Sequence, residues 1–221
     1  MTKKRRISAL HIAIYLIVFF AVWSIRELII RPVFLSPLSD IASAVIGAII
    51  KLLVWTLPAV LLIRHFDNDM WVGLKEMFTT RPKWFKEAPL LLLVFTPVLQ
   101  SLVHNGTVAM HPDFAPISLI GAVVFVGITE ELVFRGFLLN TFLKKMKMQH
   151  AVALDAILFL FIHYPIWIYR GFGVSEILLA SIMVPVLSVF FAFSFIKTRS
   201  IFVPIVLHMT WNLLTLVFFG S

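Results

Sequence analysis

The chain has 221 residues, of which 61% are hydrophobic against roughly 45–50% in soluble proteins, and 14% are charged against about a quarter. This excludes a soluble domain, and the net charge of +8, spread over a chain with little polar surface, is no nucleic-acid footprint. The absence of cysteine removes disulfides, thiolate zinc sites, a thiol nucleophile and a prenylation site on the protein itself, so any chemistry must come from Glu, Asp, His, Asn and hydroxyls.

Apolar runs long enough to cross about 30 Å of hydrocarbon are found at 7–30, 41–63, 88–103, 117–143, 151–168, 174–196 and 201–219. They predict an all-α polytopic membrane protein, a single domain over 1–221, with about seven transmembrane helices around a polar intramembrane cavity. Between the second and third runs, the spacing of apolar residues from Met70 to Phe78 predicts a short helix in the membrane interface. The count becomes eight if this segment near Trp71 spans. In the second run, Ser43 with Gly47 and Ala44 with Ala48 are small pairs that predict close helix contact. The abundant phenylalanines, Phe190-Phe191 among them, are expected to face lipid. Lys and Arg are retained on the cytoplasmic side of short loops. With the amino terminus inside, fourteen of the 19 basic residues lie inside, Arg26, Arg31 and Arg170 lie outside, and Lys51 and Arg135 are embedded. Ser221 is then outside.

Charged groups at membrane depth are costly and mark function. They are Lys51, Glu130, Glu131, Arg135, Asp155, His163 and His208, joined by the amide of Asn212. Glu131 and Arg135 are four apart on one helix face and can neutralise each other. Glu130 points about 100° away, towards other helices. Phe159 and His163 share a face of the fifth run, where Pro165 frees the carbonyl of Phe161 and bends the helix. His208 and Asn212 share a face of the last run. At 1.5 Å per residue, Glu130, His163 and Asn212 lie about 20–24 Å from the basic residues that end their helices, hence at a common depth. Lys51 can snorkel or pair, and Asp155, nearer the cytoplasmic end, reads as a solvated helix residue. Neither is placed in the site.

Glu130-Glu131-x-x-x-Arg135, Phe159-x-x-x-His163 and His208-x-x-x-Asn212 resemble, in order and approximate spacing, the CAAX protease and bacteriocin-processing family of intramembrane proteases, also called the Abi family. The resemblance covers 117–219 as a catalytic core and leaves 1–116 as accessory spans and the interfacial segment. It implies peptide-bond hydrolysis near the membrane, with Glu130 and His163 activating water and His208 and Asn212 stabilising the oxyanion or helping to bind a metal.

The residues support that chemistry independently. Amide hydrolysis needs a base for water, donors for the oxyanion and a cavity that admits water. Glu130 can be the base, His163 can orient the water or protonate the leaving amine, and Asn212 with His208 can donate to the oxyanion. Glu131, Arg135 and Phe159 stand behind these four. No cofactor is required in this reading. A rival assignment uses Glu130, His163, His208 and Asn212 around Zn²⁺ or another divalent metal, although a His-Glu-x-x-His helix is lacking. The expected partners are a peptide or membrane-protein substrate and the lipid bilayer, with no nucleic acid. The expected location is a bacterial cytoplasmic membrane. Two other functions remain: a non-catalytic immunity or scaffold protein of the same fold, and a proton-coupled transporter, which commonly shows inverted repeats that are not evident here.

Overall fold

The computed structural model describes residues 6–83, 94–112, 114 and 116–220, and among these the chain is helical, without strands. In hydrocarbon every backbone N–H and C=O must be satisfied within its own segment, so the apolar runs become helices. Helix α1, Ala9–Ile25, starts where the Ser8 hydroxyl accepts from the His11 amide, and continues as a wider-wound π-helical stretch, Arg26–Leu35. Helix α2 runs from Asp40–Lys51 through a π turn, Leu52–Thr56, into Leu57–His65. A short helix, α3, covers Leu74–Thr79, and α4 covers Thr96–Asn105. Helix α5 is continuous through Leu119–Phe125, Val126–Glu131, Leu132–Leu139 and Asn140–Lys145. Helices α6, Met148–Phe161, and α7, His163–Arg170, are two parts of one bent span. Val174–Thr198 forms α8 and Phe202–Phe219 forms α9.

Among the described residues five helices are long and apolar enough to cross a bilayer, at Ala9–Leu35, Ile41–His65, Met148–Arg170, Val174–Thr198 and Phe202–Phe219. The protein is an integral membrane protein. Helix α5 covers about 40 Å at 1.5 Å per residue, but Glu130, Glu131 and Arg135 interrupt its apolar sequence. All three are buried against other helices, so lipid does not meet them. The expected third span, 88–103, lies partly outside the described residues. Helix α3 has six residues, about 9 Å, which is too short to span and agrees with an interfacial segment.

That segment is tied to the end of α5. The Asn140 amide donates to the carbonyl of Val72 at 2.8 Å and its Oδ1 accepts from the Val72 amide at 2.7 Å. Arg199 closes α8 in a left-handed conformation (φ 55°), and its side chain pairs with Glu76 of α3 at 3.2 Å. At the same end Lys145 donates to the carbonyl of Ile7 and to Asp69. Outward faces of α1 and α8 expose Leu10, Ile17, Leu178 and Ile182, as expected for a lipid boundary. Inside, Trp55, Phe134 and Phe137 are fully buried, with Phe19 tilted against Trp55 at 4.9 Å and Trp23 edge-on to it at 4.2 Å. Gly127 lets α5 approach α9 closely. A Cβ there would overlap Met209 Cγ and lie 3.5 Å from the carbonyl oxygen of Ile205, so any larger residue would push apart the two helices carrying the glutamates and His208.

Candidate active site

Glu130 and Glu131 end the ordinary α-helical turns of α5 and point to different partners, as their angular separation predicts. Glu131, fully buried, accepts from Arg135 Nη1 at 3.1 Å and from His208 Nδ1 at 2.7 Å through the same Oε1. Arg135 also donates through Nη2 to the Ser188 carbonyl and hydroxyl at 2.8 and 2.7 Å, and its Nε lies 3.6 Å from Asp155 Oδ2. The guanidinium lies between the rings of Phe159 and Phe191, at 4.6 and 5.5 Å. The expected Glu131–Arg135 pair is therefore present, with α6 and α8 packed onto it.

His208 joins the two glutamates. Its Nδ1 donates to Glu131, which directs Nε2 at Glu130 Oε2, 4.0 Å away. The ring stacks on Phe191 at 4.9 Å and meets the edge of Phe159. Glu130 Oε1 accepts from Lys51 Nζ of α2 at 3.2 Å, while Oε2 is buried without a hydrogen-bond partner. The 4.0 Å between Oε2 and His208 Nε2 is longer than a direct hydrogen bond.

His163 is placed by the bend that Pro165 imposes. The helix breaks at Ile162, His163 opens α7, and its Nδ1 donates to the carbonyl of Phe159 at 2.7 Å, because a carbonyl can only accept. This leaves Nε2 for the site, within electrostatic range of Glu130 and His208. The indole of Trp23 donates to the carbonyl of Ile162 at 2.7 Å, which fixes the bend from α1.

Four readings from the sequence are corrected. Lys51, left out of the site, holds Glu130 and lies over the rings of Trp23 and Trp55. Asp155 is fully buried against Arg135 and not solvated, because α6 packs along α8 and faces α5 over this stretch. Phe191, expected in lipid, is buried at 1% exposure on the His208 ring. The first helix extends to Leu35 beyond the expected end at residue 30, which takes in Arg31, and Arg26, counted on the outer side, is buried. Asn212 also reaches α5: its Nδ2 donates to the Ala122 carbonyl at 3.0 Å, leaving one amide hydrogen for other use.

A cavity of about 830 Å³ opens between α1, α2, the start of α5 and α7, and Lys51 is on its wall. The small residues Ser43, Ala44, Gly47 and Ala48 line it, while Gly121 of α5 faces Ala44 closely enough that a Cβ would lie 4.0 Å away. Among the described residues no three His, Asp or Glu side chains gather as a metal-binding group, and the position a cation would take at Glu130 Oε1 is held by the Lys51 ammonium.

Residues 111–214 match the family model described as Type II CAAX prenyl endopeptidase Rce1-like, and the resemblance read from the three motifs is borne out. The matched segment contains Glu130, Glu131, Arg135, Phe159, His163, His208 and Asn212. No curated protein and no solved structure matches the chain. The family match supports an intramembrane protease function.

Proposed function

We propose that the chain, whose residues 111–214 match the family model described as Type II CAAX prenyl endopeptidase Rce1-like, hydrolyses a peptide bond of a membrane-associated peptide or protein with water activated by Glu130. The observation that carries this reading is the orphaned, buried Glu130 Oε2 facing His208 Nε2 at 4.0 Å. Lys51 supplies the counter-charge that a buried carboxylate needs and occupies Oε1, leaving Oε2 as the atom that takes a proton from water. The hydroxide adds to the carbonyl carbon, and the negative charge develops on the carbonyl oxygen. His208, as the imidazolium held by Glu131, and the remaining amide hydrogen of Asn212 are the donors for that oxyanion. The proton that Glu130 took from water passes through His163 Nε2, which is free to accept while Nδ1 donates to the Phe159 carbonyl, to the leaving amine as the C–N bond breaks; both side chains return to their starting states, and the products are a carboxylic acid and an amine.

Glu131, Arg135 and Asp155 orient His208 and do not touch substrate. No metal or cofactor enters this scheme. The amino terminus is cytoplasmic and the carboxyl terminus outside, in a bacterial cytoplasmic membrane. This orientation is supported by the segregation of charge, since Lys145 and Arg199 meet Asp69 and Glu76 at one end while Arg26, Arg31 and Arg170 lie towards the other. Comparing the membrane peptides of cells carrying the wild-type protein with those carrying Glu130→Gln tests the function. Products that vanish in the variant identify the substrate. Identical peptide sets would favour a non-catalytic immunity or scaffold role.

A further inference from the structure

The cavity beside Lys51 has a charge imbalance that the hydrolytic scheme does not use. Besides Lys51, which is paired with Glu130, its wall carries Arg26, Arg31 and Arg170 against one carboxylate, Glu27. Glu27 is fully buried and is shared between Arg26 and Arg31, the latter at 3.0 Å. Arg170 is exposed, with Glu27 as its nearby opposite charge, and Arg26 Nε is buried without a hydrogen-bond partner. Surplus cations at membrane depth are expensive unless an anion joins them.

The cations are arranged in depth. Arg170 is exposed at the rim, Arg31 is half-buried with its guanidinium 4.8 Å over the Tyr169 ring, and Arg26 is buried. Arg26 and Lys51 then share the Trp23 ring, at 5.1 and 5.0 Å, and Lys51 reaches Glu130. Gly47 makes the deep position possible, because a Cβ there would come within 2.8 Å of Arg26 Nη2. The series leads from the surface to the proposed reaction centre, and guanidinium forks suit carboxylates.

We propose that this cavity binds a carboxylate of the peptide substrate, so that the enzyme selects acidic peptides through Arg26, Arg31 and Arg170. The inference rests on the endopeptidase reading for the identity of the ligand. The carboxylate comes from an acidic side chain or from the peptide's own terminus, and the probes below separate these sources. None of the three arginines touches the reacting atoms. They position the peptide with its scissile bond towards Glu130.

The test uses the full-length Glu130→Gln protein in phosphatidylcholine nanodiscs, so that binding is read without turnover. Three fluorescent decanoyl tetrapeptides of Leu and Ala are titrated: one with a free carboxyl terminus, one amidated with a single Asp, and one amidated without acid. At least one acidic probe binds roughly tenfold or more tighter than the neutral one, the scale of a charge-assisted hydrogen bond. Arg170→Gln and Arg31→Gln each remove most of that preference and leave neutral-probe binding unchanged. Arg170 is exposed, so its replacement does not threaten folding. Equal binding of all probes overturns the proposal, as does a preference that survives both substitutions. Binding of phosphatidylglycerol with no carboxylate preference overturns it in favour of lipid phosphate. Preference without cleavage by the wild-type protein supports the carboxylate site and counts against the endopeptidase, so the two failures are distinguishable.

Discussion

Arg135→Met removes the centre of a buried charge network, and the structure sets the expected size of the effect. The guanidinium neutralises Glu131 at 3.1 Å, approaches Asp155 at 3.6 Å and donates twice to Ser188, with all the charged groups fully buried. Methionine keeps the apolar contacts with Phe159 and Phe191 but strands carboxylates, at a cost of about 3–5 kcal/mol. Glu131→Gln alone is destabilising too, because His208 loses its charged acceptor and Arg135 loses its nearer carboxylate. Combining the two still leaves Asp155 facing no cation. Arg135→Met/Glu131→Gln/Asp155→Asn therefore recovers stability relative to the sum of the single losses, by about 1–3 kcal/mol of coupling. Purified variants are compared by reversible unfolding in mixed detergent micelles. Strict additivity would show that these side chains do not act as one network, and would remove the account of how His208 is oriented.

Trp23→Phe leaves the Ile162 carbonyl without its donor at the bend and is expected to cost about 1–3 kcal/mol, read in the same unfolding assay. Its activity should fall with stability as His163 loses its fixed position. Asn212→Ala should lower kcat by about 10²–10³-fold with little change in KM if the second amide hydrogen serves the oxyanion. A loss confined to stability would assign Asn212 to the contact with Ala122 alone. For topology, a carboxyl-terminal alkaline phosphatase fusion should be active outside, and a fusion active only in the cytoplasm would reverse the orientation.

The sequence made the helices legible because each apolar run is long, and made Glu131–Arg135 legible because i and i+4 residues meet on one face whatever the surrounding fold. The shared direction of Phe159 and His163 was legible for the same reason, and Pro165 announced the break after Phe161. Contacts between helices were not legible in this way. Lys51 is 79 positions from Glu130, and nothing along α2 states which helix its ammonium will reach. The one available signal was its mid-span position, where a cation needs a partner. Asp155 was misjudged by distance from the helix end, which does not report which face is covered. Phe191 was misjudged because phenylalanine serves lipid and core equally. Arg31 looked like a loop charge and Arg26 like a charge at the outer end of the first run, until the helix continued to Leu35 and both faced a cavity wall.

Cleavage of an identified substrate by purified protein, wild type against Glu130→Gln, with and without a strong chelator, tests the central claim most directly. The account predicts that wild-type hydrolysis persists under chelation, since Glu130 rather than a metal activates the water, and that Glu130→Gln binds the substrate but does not cut it. Wild-type rates from Glu130→Gln would contradict the site, and activity lost to the chelator and restored by zinc would contradict the mechanism.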